Sequence, residues 1–265
     1  MVDFTPKDAY DIADLVEIVR LLRAPGGCPW DQEQDHHTIR KNLIEETYEV
    51  AEAIDLEDRA LLREELGDLL LQVVLHAQME AEAGVFDFSG VCNDICQKLI
   101  VRHPHVFGQV SAKDTDEVLK NWEAIKQRTK GQTTAAQTLE SVPKTLPALM
   151  RAEKVQRRAA KTGFDYPDLQ WAVGDLECEL REVKEAIASG DKPQMYEELG
   201  DLLFAAVNVA RFMGADPEEA LSAASDKFTR RFTRVEELAA EQQLEMNSCG
   251  IDRLNELWAQ AKREE

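Results

Sequence analysis

The sequence predicts an all-α protein built as two tandem helical-bundle domains related by an internal repeat. Three observations carry this reading. Apolar residues recur at helical spacing along nearly the whole chain and alternate at period two almost nowhere. The segment EELGDLL occurs at 64–70 and again at 197–203, an offset of 133 in a chain of 265 residues. Glycine, proline and aspartate punctuate the apolar stretches where helices would start and stop.

Taken in order, Ile12, Leu15, Val19 and Leu22 mark a first helix, with Thr5-Pro6 ahead of it as N-cap and first-turn proline. Helices follow over 38–54, 60–82, 88–101 and 114–128, separated by Pro25-Gly26-Gly27, Gly84 and Pro104. From 130 to 147 the chain turns polar and proline-bearing (KGQTTAAQTLESVPKTLP). This gives a linker at 129–147 between an N-terminal domain, 1–128, and a C-terminal domain, 148–265. The second domain is read as helices over 148–161, 168–188, 194–212, 217–243 and 252–264. Gly163, Ser189-Gly190-Asp191, Asp216-Pro217 and Asp252 mark their ends.

Fifty-one acidic residues against 31 basic ones give a formal charge of −20. Such an excess repels phosphate backbones and anionic lipid heads, which argues against a nucleic-acid polymer or a membrane as partner. No apolar run approaches a membrane span, and Met1-Val2-Asp3-Phe4-Thr5 has neither the basic nor the apolar region of a secretory signal, so a cytoplasmic location is expected. The five cysteines form no C-x-x-C pair. Cys92 and Cys96, one helical turn apart, read as buried structural thiols, because two soft ligands without a third make no zinc site.

The repeat extends beyond its seven identities. Glu46, Glu49, Glu65 and Asp68 find acidic counterparts at the same offset in Glu179, Glu182, Glu198 and Asp201. Glu179 and Glu182 are three apart on one helix, Glu198 and Asp201 three apart on the next, and a short turn joins the two helices. Antiparallel packing then brings four carboxylates together. The helices continue as Leu69-Leu70-Leu71-Gln72-Val73-Val74 and Leu202-Leu203-Phe204-Ala205-Ala206-Val207, apolar on every side, which predicts buried helices with the carboxylates facing an interior or cleft. Unpaired charge there costs several kcal/mol, so a cation is expected among them. Oxygen donors without histidine or cysteine point to Mg²⁺, with Mn²⁺ as the alternative.

Basic and aromatic pairs recur as well: Lys98 and Arg102 with Lys227 and Arg231, then Trp122 and Lys126 with Trp258 and Lys262, each four residues apart. The cations suit phosphate oxygens, and the tryptophan suits stacking on a base. His36, His37, His103 and His105 read as loop or helix-end residues, and His76 as a satisfied core histidine. Pro25 to Asp31 is no Walker A loop and reads as a tight turn. No grouping offers a covalent nucleophile.

Glu45-Glu46-x-x-Glu49 followed by Glu65-x-x-Asp68 resembles the signature of the MazG-type nucleoside triphosphate pyrophosphohydrolases, a branch of the all-α NTP pyrophosphatase superfamily. Gly27-Cys28-Pro29-Trp30-Asp31, Val142-Pro143 to Arg151, Gly163-Phe164-Asp165 and the KFTRRF segment at 227–232 are similar to the same family, in its tandem form. The resemblance implies Mg²⁺-dependent hydrolysis of nucleoside triphosphates, ATP among them, to monophosphate and pyrophosphate, broad in base. It implies Glu179, Glu182, Glu198 and Asp201 as metal ligands, and Lys227 and Arg231 as phosphate-binding and catalytic. Trp258, Lys262, Glu197 and Gln194 join them on the nucleotide. It implies a homodimer, with the activity in the C-terminal half. Glu45, Glu46, Glu49, Glu65, Asp68, Lys98, Arg102, Trp122 and Lys126 form the second, N-terminal set. Two positions depart from the pattern: Cys178 stands where the first Glu of EExxE is expected, and Gln194 where some relatives carry a basic residue. A narrower dUTPase-like or phosphoribosyl-ATP pyrophosphohydrolase shares the fold and the carboxylates. A non-catalytic helical nucleotide-binding or regulatory protein is the reading from another class.

Overall fold

The computed structural model describes residues 2–108 and 134–264, and between them 110, 113–115, 117, 118, 121, 122 and 125. No β-strand occurs among these residues. The chain divides into two compact units, Met1–Thr129 and Lys130–Glu265.

The first unit comprises α1 (Ile12–Arg23), α2 (Pro29–Glu33), α3 (Arg40–Asp55), α4 (Arg59–Glu82), α5 (Phe88–Arg102) and α6 (Pro104–Phe107). Asp11, not Thr5, caps α1. Its carboxylate accepts from the N–H groups of Ala13 and Asp14, and Asp14 reaches back to the N–H of Asp11. This reciprocal box satisfies donors that Thr5, outside the helix in irregular chain, leaves untouched. The turn after α1 requires glycine, because a Cβ on Gly27 would meet the carbonyl oxygens of Leu21 and Leu22 at 2.3 Å. Helices α1 and α3 pack on α4, and Val19, Ile39, Val74, Leu75 and Met79 form the core. Thr115, Glu117, Val118, Asn121, Trp122 and Ile125 are helical. Asp114 forms a bend ahead of them and accepts from the N–H of Glu117, and the rest of the helix expected over 114–128, Lys126 included, lies outside the described residues.

The second unit comprises α7 (Ala135–Glu140), α8 (Ala148–Ala160), α9 (Leu169–Ser189), α10 (Lys192–Met213), α11 (Pro217–Glu241) and α12 (Ile251–Glu264), with a 3₁₀ turn at Met246–Ser248. Part of the stretch read as a linker is structured: Thr134 and Gln137 form a capping box for α7, and Arg158 on α8 donates to the Thr138 carbonyl and the Ser141 hydroxyl. Helices α9 and α10 form an antiparallel hairpin. Gly190 closes α9 in the left-handed region at φ +75°, and the Asp191 carboxylate accepts from the N–H of Gln194 to open α10. Val235, Leu238 and Ala239 of α11 pack with Leu257 and Ala261 of α12 in a second core.

Two expectations about apolar burial are overturned. Helices α4 and α10 are not buried all round within one chain: Val74, Leu75 and Met79, or Ala205 and Val207, are covered, while Leu66, Leu70, Leu199, Leu203 and Phe204 remain 37–52% exposed. Among the described residues, the helices packed on each long helix cover only part of its circumference, and these apolar side chains stay exposed. Cys92 and Cys96 are exposed free thiols rather than buried ones. Phe88, at the start of α5, packs against the first core, while Cys92 and Cys96, one and two turns further along the same helix, lie outside it.

Leu238 is 1% exposed in the α11–α12 core, so Leu238→Ala should cost about 2–5 kcal/mol in denaturant unfolding. Leu221→Ala, on the same helix but 57% exposed, should stay within about 0.5 kcal/mol of the unaltered chain.

Candidate functional site

The α9–α10 hairpin makes the carboxylate site. With α9 and α10 antiparallel across a two-residue turn, the end of one helix faces the start of the other, and residues on facing stripes meet. Oxygens of Glu179, Glu182 and Glu198 all lie within 4.8 Å of one another. Helices α3 and α4 repeat the arrangement around the Leu56 to Asp58 turn, where oxygens of Glu46, Glu49 and Glu65 fall within the same distance. Asp201 and Asp68 stand one turn further along and outside these trios, close enough for their charges to act on Glu179 and on Glu46 and Glu65. Glu45 is exposed and belongs to neither trio.

The trios lie on open helix faces rather than in an enclosed interior of the chain. Glu179 and Glu198 are half-buried, while Glu182 and Asp201 are exposed. Even so, the like charges perturb one another. Loss of hydration and the charges of Glu182, Asp175, Asp201 and Glu198 hold Glu179 above the ordinary carboxylate range. Glu65 is raised by lost hydration and then by Glu49, Glu64, Asp68 and Glu52. Glu46 is raised by lost hydration and by a hydrogen bond shared with Glu49. The charges acting most strongly on all three are negative.

Lys227, Arg231, Trp258 and Lys262 sit on the α11–α12 pair. Lys227 and Lys262 are exposed and Arg231 is half-buried. Trp258 packs at the edge of the second core, its ring centroid 5.1 Å from that of Phe228. In the first unit Arg102 lies over the Trp122 ring at 5.4 Å, so that pairing is made as a cation–π contact. Lys98, Gln194 and Glu197 are exposed on α5 and α10.

Sequence reasoning passed over Tyr166 and Asp175. The Tyr166 hydroxyl bonds Asp175, which lies one turn before Glu179. Burial, this bond and the charges of Asp175, Glu179 and Asp165 push the phenol up to about 12. The spacing Asp175, Glu179, Glu182 runs four and then three residues along one face and was available in the sequence. His76 is not the satisfied core residue expected. Its Nδ1 faces Nδ1 of His36 at 2.7 Å, and its Nε2 is buried without a hydrogen-bond partner. His36 in turn bonds Glu80 at 2.8 Å.

Three oxygen donors this close, with no nitrogen or sulfur among them, fit a hard divalent cation. Among the described residues no helix is long and apolar enough to cross a membrane.

The MazG nucleotide pyrophosphohydrolase domain matches residues 34–107 and 173–235, one segment in each unit and each spanning its carboxylate trio. Over 256 residues the chain is 47% identical to a nucleoside triphosphate pyrophosphohydrolase of Escherichia coli strain K12, covering 95% of this chain and 97% of that one. Over 249 residues it is 43% identical to the nucleoside triphosphate pyrophosphohydrolase/pyrophosphatase MazG of Thermotoga maritima, covering 94% of each.

A glutamate raised above its unfolded value contributes stability at low pH that is lost as pH rises through its folded-state value. The crowded trio therefore destabilises the metal-free chain at neutral pH. Glu198→Gln should raise its thermal midpoint at pH 7–8, and the gain should vanish near pH 4, where the carboxylates take up protons; scans across pH check this.

Proposed function

Because the chain belongs to the MazG nucleotide pyrophosphohydrolase family, we propose that it hydrolyses nucleoside triphosphates between the α and β phosphorus atoms, releasing monophosphate and pyrophosphate. The observation that carries the reading is the carboxylate trio, built twice from the same residue types at the same spacing inside the segments that define the family.

Glu179, Glu182, Glu198 and Asp201 would hold Mg²⁺, or Mn²⁺ in its place. The oxygen-only donor set supports this, as do the lost hydration and neighbouring negative charges that raise Glu179. When bound, the ion neutralises charge on the phosphate oxygens and makes a coordinated water more acidic. A carboxylate of the set that is not engaged by the ion would accept the proton of the water attacking the α phosphorus. Lys227, Arg231 and Lys262 stabilise the departing pyrophosphate, and Gln194, Glu197 and Trp258 contact the rest of the nucleotide.

Leu199, Leu203 and Tyr196 on α10 and Trp171, Leu180 and Ile187 on α9 are exposed by 43–84%. A monomer rarely leaves so much apolar surface on the helices that carry its site. We place a second copy of the chain on these faces, giving a homodimer, and the enzyme in the cytoplasm. The C-terminal trio is the working one, and the N-terminal trio is the weaker or silent member.

With Mg²⁺ and a panel of nucleoside triphosphates, the expected products are monophosphate and pyrophosphate. Glu198→Ala should lower the rate by roughly two orders of magnitude, and Glu65→Ala by far less. Diphosphate and phosphate as products would overturn the cleavage position; a deep loss with Glu65→Ala alone would move the activity to the N-terminal unit.

A further inference from the structure

A cleft of about 290 Å³ opens in the second unit between α8, α10 and the 163–166 segment. Gln156 lines it at 6% exposure. Its Nε2 donates to the Phe204 carbonyl at 2.8 Å, and its Oε1 is buried with no hydrogen-bond partner. An unmet buried acceptor is unfavourable, and a donor from outside the chain would satisfy it. Asn208 is oriented by its neighbour: Oδ1 accepts from Arg211 Nε at 3.0 Å and from Nη2 at 2.5 Å, so the group Asn208 presents is its Nδ2 donor. Arg211 also grips Asp165 through both carboxylate oxygens, which holds Asp165 ionised below the ordinary range. Phe164, 82% exposed, and Phe204, 43% exposed, add aromatic faces.

The cleft adjoins the carboxylate site. Tyr166 lines it while bonding Asp175 and feeling the charge of Glu179. Along α10, Asp201, Phe204 and Asn208 follow at intervals of three and four residues, hence on one stripe, with Asn208 about 10 Å beyond Asp201. A ligand with its phosphates at the trio extends its other end into the cleft.

We infer that this cleft takes the nucleobase of the substrate: an acceptor from Gln156, a donor from Asn208 and two phenylalanine faces fit a flat ring with hydrogen-bonding edges. Taking the ligand as a nucleotide rests on the proposed activity. Trp258, already against Phe228, is left with Lys227, Arg231 and Lys262 on the sugar and phosphate side. The N-terminal unit lacks this pocket chemistry, for at the offset of 133 it carries Leu71, Leu75 and Gln78 in place of Phe204, Asn208 and Arg211. Leu75 is core there, at 4% exposure. Base selectivity therefore belongs to the C-terminal unit.

The test uses the full chain. kcat and KM are measured for ATP, GTP, CTP and UTP with the unaltered chain, Gln156→Met, Asn208→Leu and Trp258→Phe, and binding of the four nucleoside 5′-monophosphates is measured by calorimetry. In Gln156→Met and Asn208→Leu the ratio of kcat/KM between best and worst base should change roughly tenfold, mainly through KM, with monophosphate affinities following the same order. Trp258→Phe should move all four bases alike. Either cleft variant suffices if thermal unfolding shows that the other does not fold. Pyrophosphate release with the base ranking unchanged in the folded cleft variants overturns the cleft and leaves the activity standing; reordering by Trp258→Phe overturns it too. No turnover by the unaltered chain, with monophosphate binding that Gln156→Met abolishes, removes the activity and leaves the cleft. Absence of both turnover and monophosphate binding removes both.

Discussion

Repulsion held in place by packing is the constraint on which the rest of the molecule depends. Glu179, Glu182 and Glu198 approach within 4.8 Å because α9 and α10 are locked into a hairpin by a two-residue turn and by contact along their length. Free in water, three carboxylates at that separation would move apart. The helices cannot, so the energy of crowding is stored in the site and is released when a cation or proton arrives. Lost hydration first, and then the neighbouring carboxylates, hold Glu179, Glu46 and Glu65 above the ordinary carboxylate range. A metal site of this kind needs little induced change, since folding has already brought its ligands together.

The two units share this hairpin and differ in what surrounds it. In the first, Arg102 covers Trp122, and the core closes with Leu75 at the position where the second has Asn208. In the second, Arg211 and Asp165 form a charged brace beside an open cleft. Duplication preserved the part that handles phosphate and metal, and the part that faces the remainder of a ligand diverged. The identical heptapeptide therefore overstates how alike the halves are.

Much of this was legible in the sequence. Helix spacing and punctuation placed α3, α4, α5 and α8 to α12 within about two residues of their observed ends, because Gly190, Asp191 and Asp216 act through local hydrogen bonds that sequence alone specifies. The carboxylate trios were legible for the same reason. Burial was not: Cys92, Leu203 and Phe204 sit in apolar helical runs, and whether such a run is covered depends on neighbours distant in sequence or on another chain. The cap of α1 was misplaced because Thr5-Pro6 is a strong local signal, and Asp11 gains its advantage from Asp14. The Gln156, Asn208 and Arg211 grouping could not be read at all, since it joins α8 to α10 across 48 residues through an amide-to-carbonyl bond.

The left-handed residue at Gly190 and the Asp191 cap leave no slack between α9 and α10. Each added or deleted residue there rotates α10 by about 100° about its axis and turns Glu198 away from Glu179. The segment from Gln242 to Gly250, between α11 and α12, carries no such phase relation to the trio and is free to drift in length. This is the pattern of the repeat itself. The four carboxylates keep one offset of 133 across the two halves, whereas Lys98 to Lys227 is 129 and Trp122 to Trp258 is 136. The hairpin turn works as a phase lock on helical rotation, and insertions and deletions have accumulated only outside it.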